Sequence, residues 1–210
     1  MLVLKIPYLK ELFPEHPSTI AKRLLVSGTA VSIDKLNWKD FPHKPDVKVY
    51  LGYCDFRLWL HYVVRNDFVR AVARIDQEPV WQDSCVEFFM KQGDNYRNFE
   101  FNSLGVCLSA VGPNRNSRTR LAGEFMDQIM RFPSLTIETL PSEDVTTDWS
   151  LTVAIPLDLI GQKAGSEFTA NFYKCGDKTK VPHYLSWSAI ATATPDFHQP
   201  NYFAPVELVR

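Results

Sequence analysis

Residues 84–102 read SCVEFFMKQGDNYRNFEFN, and the alternation inside this stretch decides the fold. Successive side chains on a strand point to opposite faces, so Val86, Phe88 and Met90 share one face while Cys85, Glu87 and Phe89 share the other. After the turn residues Gly93, Asp94 and Asn95 the pattern repeats, with Phe99 and Phe101 on one face and Asn98, Glu100 and Asn102 on the other. One side of such a hairpin is apolar enough to pack on a second layer. The other carries a row of carboxylates and amides, which on an antiparallel sheet is ordinarily the wet face.

The same two-residue period extends outward. Val47, Val49 and Leu51 alternate, turn at Asp55-Phe56, and return through Leu58, Leu60, Tyr62 and Val64 as a hairpin. A turn at Ser103-Leu104-Gly105 leads into a strand over 106–110, and further strands are expected over 134–140, 149–155, 168–174, 184–188 and 205–209. Pro156 opens a short helical turn through Ile160. The stretch from Pro113 to Arg131 lacks alternation and reads as a long crossover with a short helix around 124–130. Before Asp46, Pro14, Pro17, Pro42 and Pro45 punctuate an irregular lead-in over residues 1–45, with a short strand over 31–38. The expectation is one all-β domain over residues 1–210, an antiparallel β-sandwich of immunoglobulin-like or jelly-roll type, with about nine or ten strands and minimal helix.

Composition narrows the function. Lys and Arg number 23 against 24 Asp and Glu, a net charge of −1, so no overall field draws the chain to nucleic acid or an anionic membrane. Lys5, Pro7, Lys10 and Glu11 interrupt the apolar residues of the amino terminus, which therefore contains neither a signal-peptide core nor a transmembrane segment. The chain as given reads as soluble and cytoplasmic by default, or secreted if a leader has been removed. Cys54, Cys85, Cys107 and Cys175 are scattered without metal-site spacing and read as small buried hydrophobes, with a disulfide open to an exported protein. Phosphate loops, dinucleotide fingerprints and nucleophile elbows are missing from the sequence.

Sugars present hydroxyls that need acceptors such as Glu87 and Glu100 and amides such as Asn98 and Asn102, beside a flat apolar wall. Trp81, between Pro79 and Asp83 at a loop-to-strand junction, offers one wall; Trp187, in the run His183 to Ser188, offers another. Trp38, Trp59 and Trp149 read as core. An acceptor-rich row also needs donors, which Lys174 and the loop arginines Arg115, Arg118 and Arg120 can supply. Three rival readings stand beside sugar binding. Asp83, Glu87 and Glu100 can be paired carboxylates of a glycan-processing enzyme. Met90, Met126, Met130, His61, His183 and His198 can be haem ligands, and the domain can be an interaction module that has lost its sugar site.

The segments WQDSCVEFF (81–89), FEFN (99–102), NFYKCGD (171–177), LSWS (185–188) and PDFHQPNYF (195–203) resemble the family 9 carbohydrate-binding modules, most closely a bacterial family-9-like branch. The resemblance runs from about Val47 to the end of the chain. It implies a non-catalytic β-sandwich that holds a mono- or oligosaccharide between two tryptophans, with calcium bound structurally in some members. Trp187 matches one tryptophan and Trp81 the other, with an offset in its spacing to Ser84. Glu87 matches an acidic sugar contact, whereas Glu100 stands where a basic residue is expected. The expected sugar-binding set is Trp81, Glu87, Asn98, Glu100, Asn102, Lys174, His183 and Trp187, with no catalytic residue and no cofactor. Asp76, Glu78 and Asp83 lack the regular spacing of a calcium loop.

Overall fold

The computed structural model describes residues 3–12 and 16–210 of the 210-residue chain. Pro14, one of the prolines of the lead-in, lies outside the described residues, as do Met1, Leu2, Phe13 and Glu15. Among the described residues the protein is a sandwich of two sheets. The hairpin of the opening stretch forms as β6 (Cys85–Gln92) and β7 (Asn95–Asn102), and lies near the centre of the larger sheet. On one side it continues into β8 (Cys107–Gly112) and β9 (Thr119–Arg120). On the other side stands β12 (Glu167–Cys175), whose far edge is shared by β14 (Ala204–Val209) and β13 (Tyr184–Ser186). β1 (Leu4–Pro7) pairs in parallel with β14, and β3 (Lys35–Leu36) pairs with β13.

The smaller sheet has the order β10 (Met130–Pro133), β11 (Thr146–Pro156), β5 (Arg57–Phe68), β4 (Asp46–Tyr53), β2 (Thr29–Ser32). The two sheets pack through the apolar alternates of each strand. Phe88 stacks between Phe99 (6.0 Å, 10°) and Phe172 (5.3 Å, 19°), and this ladder shares one core with Leu60, Tyr62, Leu151 and Val153.

Two corrections concern helices and edges. The lead-in is not irregular: α1 (Pro17–Ser27) covers the outer face of the smaller sheet, seating Ile20 and Leu24 with Trp59 and Ala154. Pro17 does not interrupt this helix but starts it, because proline at the first helical position loses no hydrogen bond, and His16 caps it by accepting from the Ser18 N–H. The expected strand over 31–38 is instead β2 and β3, separated by Ile33 and Asp34. The expected strand over 134–140 is a 3-10 turn at Ile137–Thr139, and the strand at that edge is β10, which begins at the end of the presumed crossover and runs past it. The crossover helix is shorter than expected, α2 (Gly123–Met126), and a turn, not helix, follows Pro156. The extra short edge strands bring the count to fourteen among the described residues. Among those residues no helix is long and apolar enough to cross a membrane.

Candidate functional site

The polar face of β6 and β7 is not wet. Glu87, Asn98, Glu100 and Asn102 are all buried, because three loop segments fold over the outer face of the larger sheet. Trp38 and Phe41 come from the first, Ala73 and Val80 from the second, and Ile190, Phe197 and Phe203 from the third. The ring of Phe197 lies flat on Tyr173 (4.2 Å, 7°), which fixes the third segment over β12.

Between these segments a cleft of about 320 Å³ reaches the sheet. Strand register builds its floor: Glu87 faces Glu100 across β6 and β7, and Glu100 faces Leu108 on β8. Cys175 of β12, opposite Cys85, lies beside them. Trp81, Tyr184 and Phe197 supply aromatic walls, while Arg115, Arg118 and Arg120 stand at the rim.

Burial, reinforced by the facing carboxyl of Glu100, raises Glu87 well above the ordinary carboxylate range. Burial pushes Glu100 up to about 7, against the pull of Arg118 and Arg115. A protonated Glu87 donates a hydrogen bond as well as accepting one, so the floor holds its own donor without a cation. Glu100 accepts from Asn98 Nδ2 at 3.0 Å, and Asn98 Oδ1 in turn accepts from Arg118 at 2.8 Å. Asp177 is also raised by burial, and its side chain is bonded to the Tyr184 hydroxyl. Burial, then Arg118 and Arg115, hold His198 down at about 2, so the neutral ring faces the Tyr96 hydroxyl at 2.8 Å. The floor thus sets hydrogen-bond donors and acceptors, with their charge reduced by burial, between aromatic faces.

Of the eight residues expected at the site, the structure brings Trp81, Glu87 and Glu100 into the cleft, with Asn98 bonded directly behind Glu100. The other four lie elsewhere. Asn102 spends its whole amide on the fold: Nδ2 donates to Ala73 O (3.1 Å) and Asp83 Oδ2 (3.0 Å), and Oδ1 accepts from the N–H groups of Leu104 and Val106. Asp83 also takes the Val72 and Ala73 N–H groups and the Arg70 guanidinium, which ties the loop bearing Trp81 to the sheet.

Lys174 alternates with Cys175 on β12 and therefore points to the opposite side, where it is fully buried. Its ammonium lies 3.1 Å from Asp67 and 2.7 Å from His183 Nε2. His183 is held down at about 3 by burial and by Lys174, so it is neutral: Nδ1–H donates to Val181 O (2.9 Å) and Nε2 accepts from the ammonium. Asp67 takes further bonds from Trp149 Nε1 (2.9 Å) and Ser84 Oγ. Gly176 is required beside this network, since a Cβ there would meet Thr179 at 2.6 Å and His183 at 2.8 Å. Trp187 shares the inward face with Leu185, half-buried against Phe172 (5.6 Å). Tyr184, on the other face of the same strand, is the aromatic that reaches the cleft.

Sequence reasoning missed Tyr184, Phe197, Asp177 and His198 as cleft residues, although three lie in the segments 171–177 and 195–203 and Tyr184 stands three residues before Trp187. Trp38, Trp59 and Trp149 are buried as read, and the four cysteines are buried and free. The haem reading finds no gathering of its residues, since Met90 and Met126 pack between the sheets while His61 bonds Thr152 on the smaller sheet. Asp76, Glu78 and Asp83 each accept from donors of the protein: Arg131 and Cys107 N, Arg74 N and Ile75 N, and the Asp83 set above.

A β-sandwich whose outer sheet face carries an aromatic-walled, hydroxyl-complementary cleft defines a ligand-binding module. The model of carbohydrate-binding family 9 matches residues 22–208, and the chain belongs to that family. It is similar, at 34% identity and a TM-score of 0.85, to a Bacteroides uniformis ATCC 8492 protein of known structure named for an expected carbohydrate-binding role, over 98% of this chain and 97% of that one. Two family 9 module structures from Caldicellulosiruptor kristjanssonii, in complex with glucose and with cellotriose, share the fold at 13% and 14% identity, with TM-scores of 0.58 and 0.57. They align over 99% of this chain and 95% and 94% of theirs. No curated protein matches the chain.

Proposed function

We propose that the protein binds a mono- or oligosaccharide in the cleft over β6, β7 and β8 and does not cleave it. The observation that carries this reading is the setting of the buried Glu87 and Glu100 carboxyls among the faces of Trp81, Tyr184 and Phe197. The sugar's C–H face stacks on an aromatic wall while its hydroxyls exchange hydrogen bonds with the floor. Family membership and the glucose and cellotriose complexes of the related modules support this ligand class.

The two raised carboxyls also favour a second reading, a glycoside hydrolase, which needs one carboxyl on each side of the scissile bond. Here they stand side by side on the cleft floor, as directly opposed residues of adjacent strands, and the family is one of non-catalytic modules. Isothermal titration against a panel of neutral and acidic sugars tests the proposal. Saturable one-site heat, with no release of aryl alcohol from aryl glycosides, supports binding without cleavage. Silence across the panel rejects it, and turnover replaces it with the hydrolase.

A further inference from the structure

Two clusters of metal-ligating side chains occur among the described residues, and they differ in one respect. In the first, His43, Asp67 and His183, the Lys174 ammonium already lies 3.1 Å from Asp67 and 2.7 Å from His183, so the protein supplies its own cation. In the second, Cys85, Glu87 and Cys175, no such cation intervenes. The nearest charged groups from the facing elements are further acids, Glu100 of β7 and Asp177 after β12, while Lys174 points away on the opposite face of its strand. The guanidinium groups of Arg115, Arg118 and Arg120 stand at the cleft rim.

The second cluster has the geometry of a ligand set. Cys85 and Cys175 are directly opposed on β6 and β12, and Glu87 is on the same face two residues from Cys85. Glu87 Oε1 lies 3.1 Å from Cys175 Sγ and 3.8 Å from Cys85 Sγ, and the three ligand atoms fall within 4.8 Å of one another. A tetrahedral zinc-like ion with two thiolates and one carboxylate spaces its ligands about 3.5–3.8 Å apart, so side-chain adjustment of at most about 1 Å suffices. Glu87 and Cys175 also border the cleft, which gives an ion a route in and leaves its fourth position facing the open space.

We propose that Cys85, Cys175 and Glu87 form a binding site for one thiophilic divalent cation of the zinc class at the cleft floor. The ion displaces two thiol protons and one carboxyl proton to solvent, which leaves the three-ligand centre with a net charge of one minus. Calcium and magnesium are excluded by the ligand chemistry, because they require mostly oxygen donors in larger number. The ion and a sugar would share Glu87, so the site is tested on the sugar-free protein, where its failure leaves the sugar-binding reading untouched.

Cobalt(II) is the probe. Reduced, chelator-stripped protein titrated anaerobically at pH 8 should develop thiolate-to-cobalt charge-transfer absorption that saturates at one equivalent. Cys85→Ser and Cys175→Ser should each abolish it, Cys54→Ser should leave it intact, and Glu87→Gln should weaken binding at least tenfold. Since a serine in the floor can unfold the sheet, wild-type protein gives an independent readout. One equivalent of cadmium(II) should slow alkylation of Cys175 by N-ethylmaleimide at least tenfold without slowing that of Cys54. Absence of the charge-transfer band, its survival in both cysteine variants, or equal alkylation rates with and without cadmium overturns the proposal.

Discussion

Trp81 and Trp187 are the same residue type in comparable sequence settings, yet they belong to different parts of the molecule. Trp81 borders the cleft, and Trp187 packs on Phe172. Trp81→Ala is therefore expected to weaken the folded protein's sugar binding at least tenfold, about 1.4 kcal/mol, on top of a stability cost from its own half-buried packing against the outer cluster. Trp187→Ala is expected to cost about 2 kcal/mol of unfolding free energy while the folded protein keeps its affinity, since a half-buried aromatic contributes less than a fully buried one. Titration calorimetry and urea unfolding of both variants separate the two roles. Lys174 makes the same point with charge. Lys174→Met removes the cation that neutralises a buried Asp67, which costs about 3–5 kcal/mol, and should leave the sugar affinity of the folded fraction unchanged. Two-residue periodicity placed Glu87 and Glu100 together because both lie in the middle of long strands with clear apolar partners. The same period applied to Phe172, Lys174, Leu185 and Trp187 puts all four on the inward face, so their exclusion from the cleft was legible too. Family resemblance pointed the other way.

At the scale of elements, the central hairpins were readable and the edges were not. β4 and β5, like β6 and β7, alternate over eight or more residues around a plain turn. β2, β3, β9, β10 and β13 run two to four residues, too short for a period to emerge, and exist because a longer neighbour offers them a hydrogen-bonding edge. α1 was obscured because Ile20 and Leu24 alone form its buried stripe. The loop over 70–83 alternates only briefly, with Ala71 and Ala73 buried and Val72 and Arg74 exposed, and its position follows from Asp83 and Asn102 holding the backbone at Val72 and Ala73. Asn102→Ala is expected to cost about 2 kcal/mol by leaving Asp83 and the Ala73 carbonyl short of a partner. It should also speed hydrogen exchange over 70–83 and lower sugar affinity several-fold as Trp81 loosens. Leu24→Ala on α1, by contrast, should cost about 2–4 kcal/mol and leave the affinity unchanged, because the helix covers the opposite sheet.

For the whole molecule, buried histidines set the acid limit. Burial holds His61 down at about 4, and burial with the Lys174 ammonium holds His183 at about 3, whereas unfolded histidine takes up its proton near 6.5. Below about pH 6.5 the unfolded chain binds more protons than the folded one. The histidine contribution is therefore complete above that pH and declines as pH falls toward 4, on the order of 1 kcal/mol per pH unit for each histidine, whereas Glu87 and Glu100, raised by burial, contribute in the opposite sense and lose their part as pH rises from the usual carboxylate range toward neutrality. Asp67 acts in the same direction at lower pH: burial raises it, but the Lys174 ammonium and the bonds from Ser84 and Trp149 bring it below its ordinary value, so its contribution is lost as pH falls through the folded value. In the Glu87→Gln/Glu100→Gln protein, where the raised carboxyls no longer titrate, urea midpoints at pH 7, 6 and 5 should fall in sequence, and a flat series would mean these histidines protonate in place. The sandwich brings one sheet's outer face under three loops and opens it at Trp81, Glu87 and Glu100, and the account rests on a sugar entering there. A crystal structure of the protein soaked with the best-binding saccharide tests this most directly. A sugar ring against Trp81 with hydroxyls hydrogen-bonded to Glu87 or Glu100 is the expected result; a ring stacked on Trp187, or bound away from this sheet face, would contradict binding in this cleft.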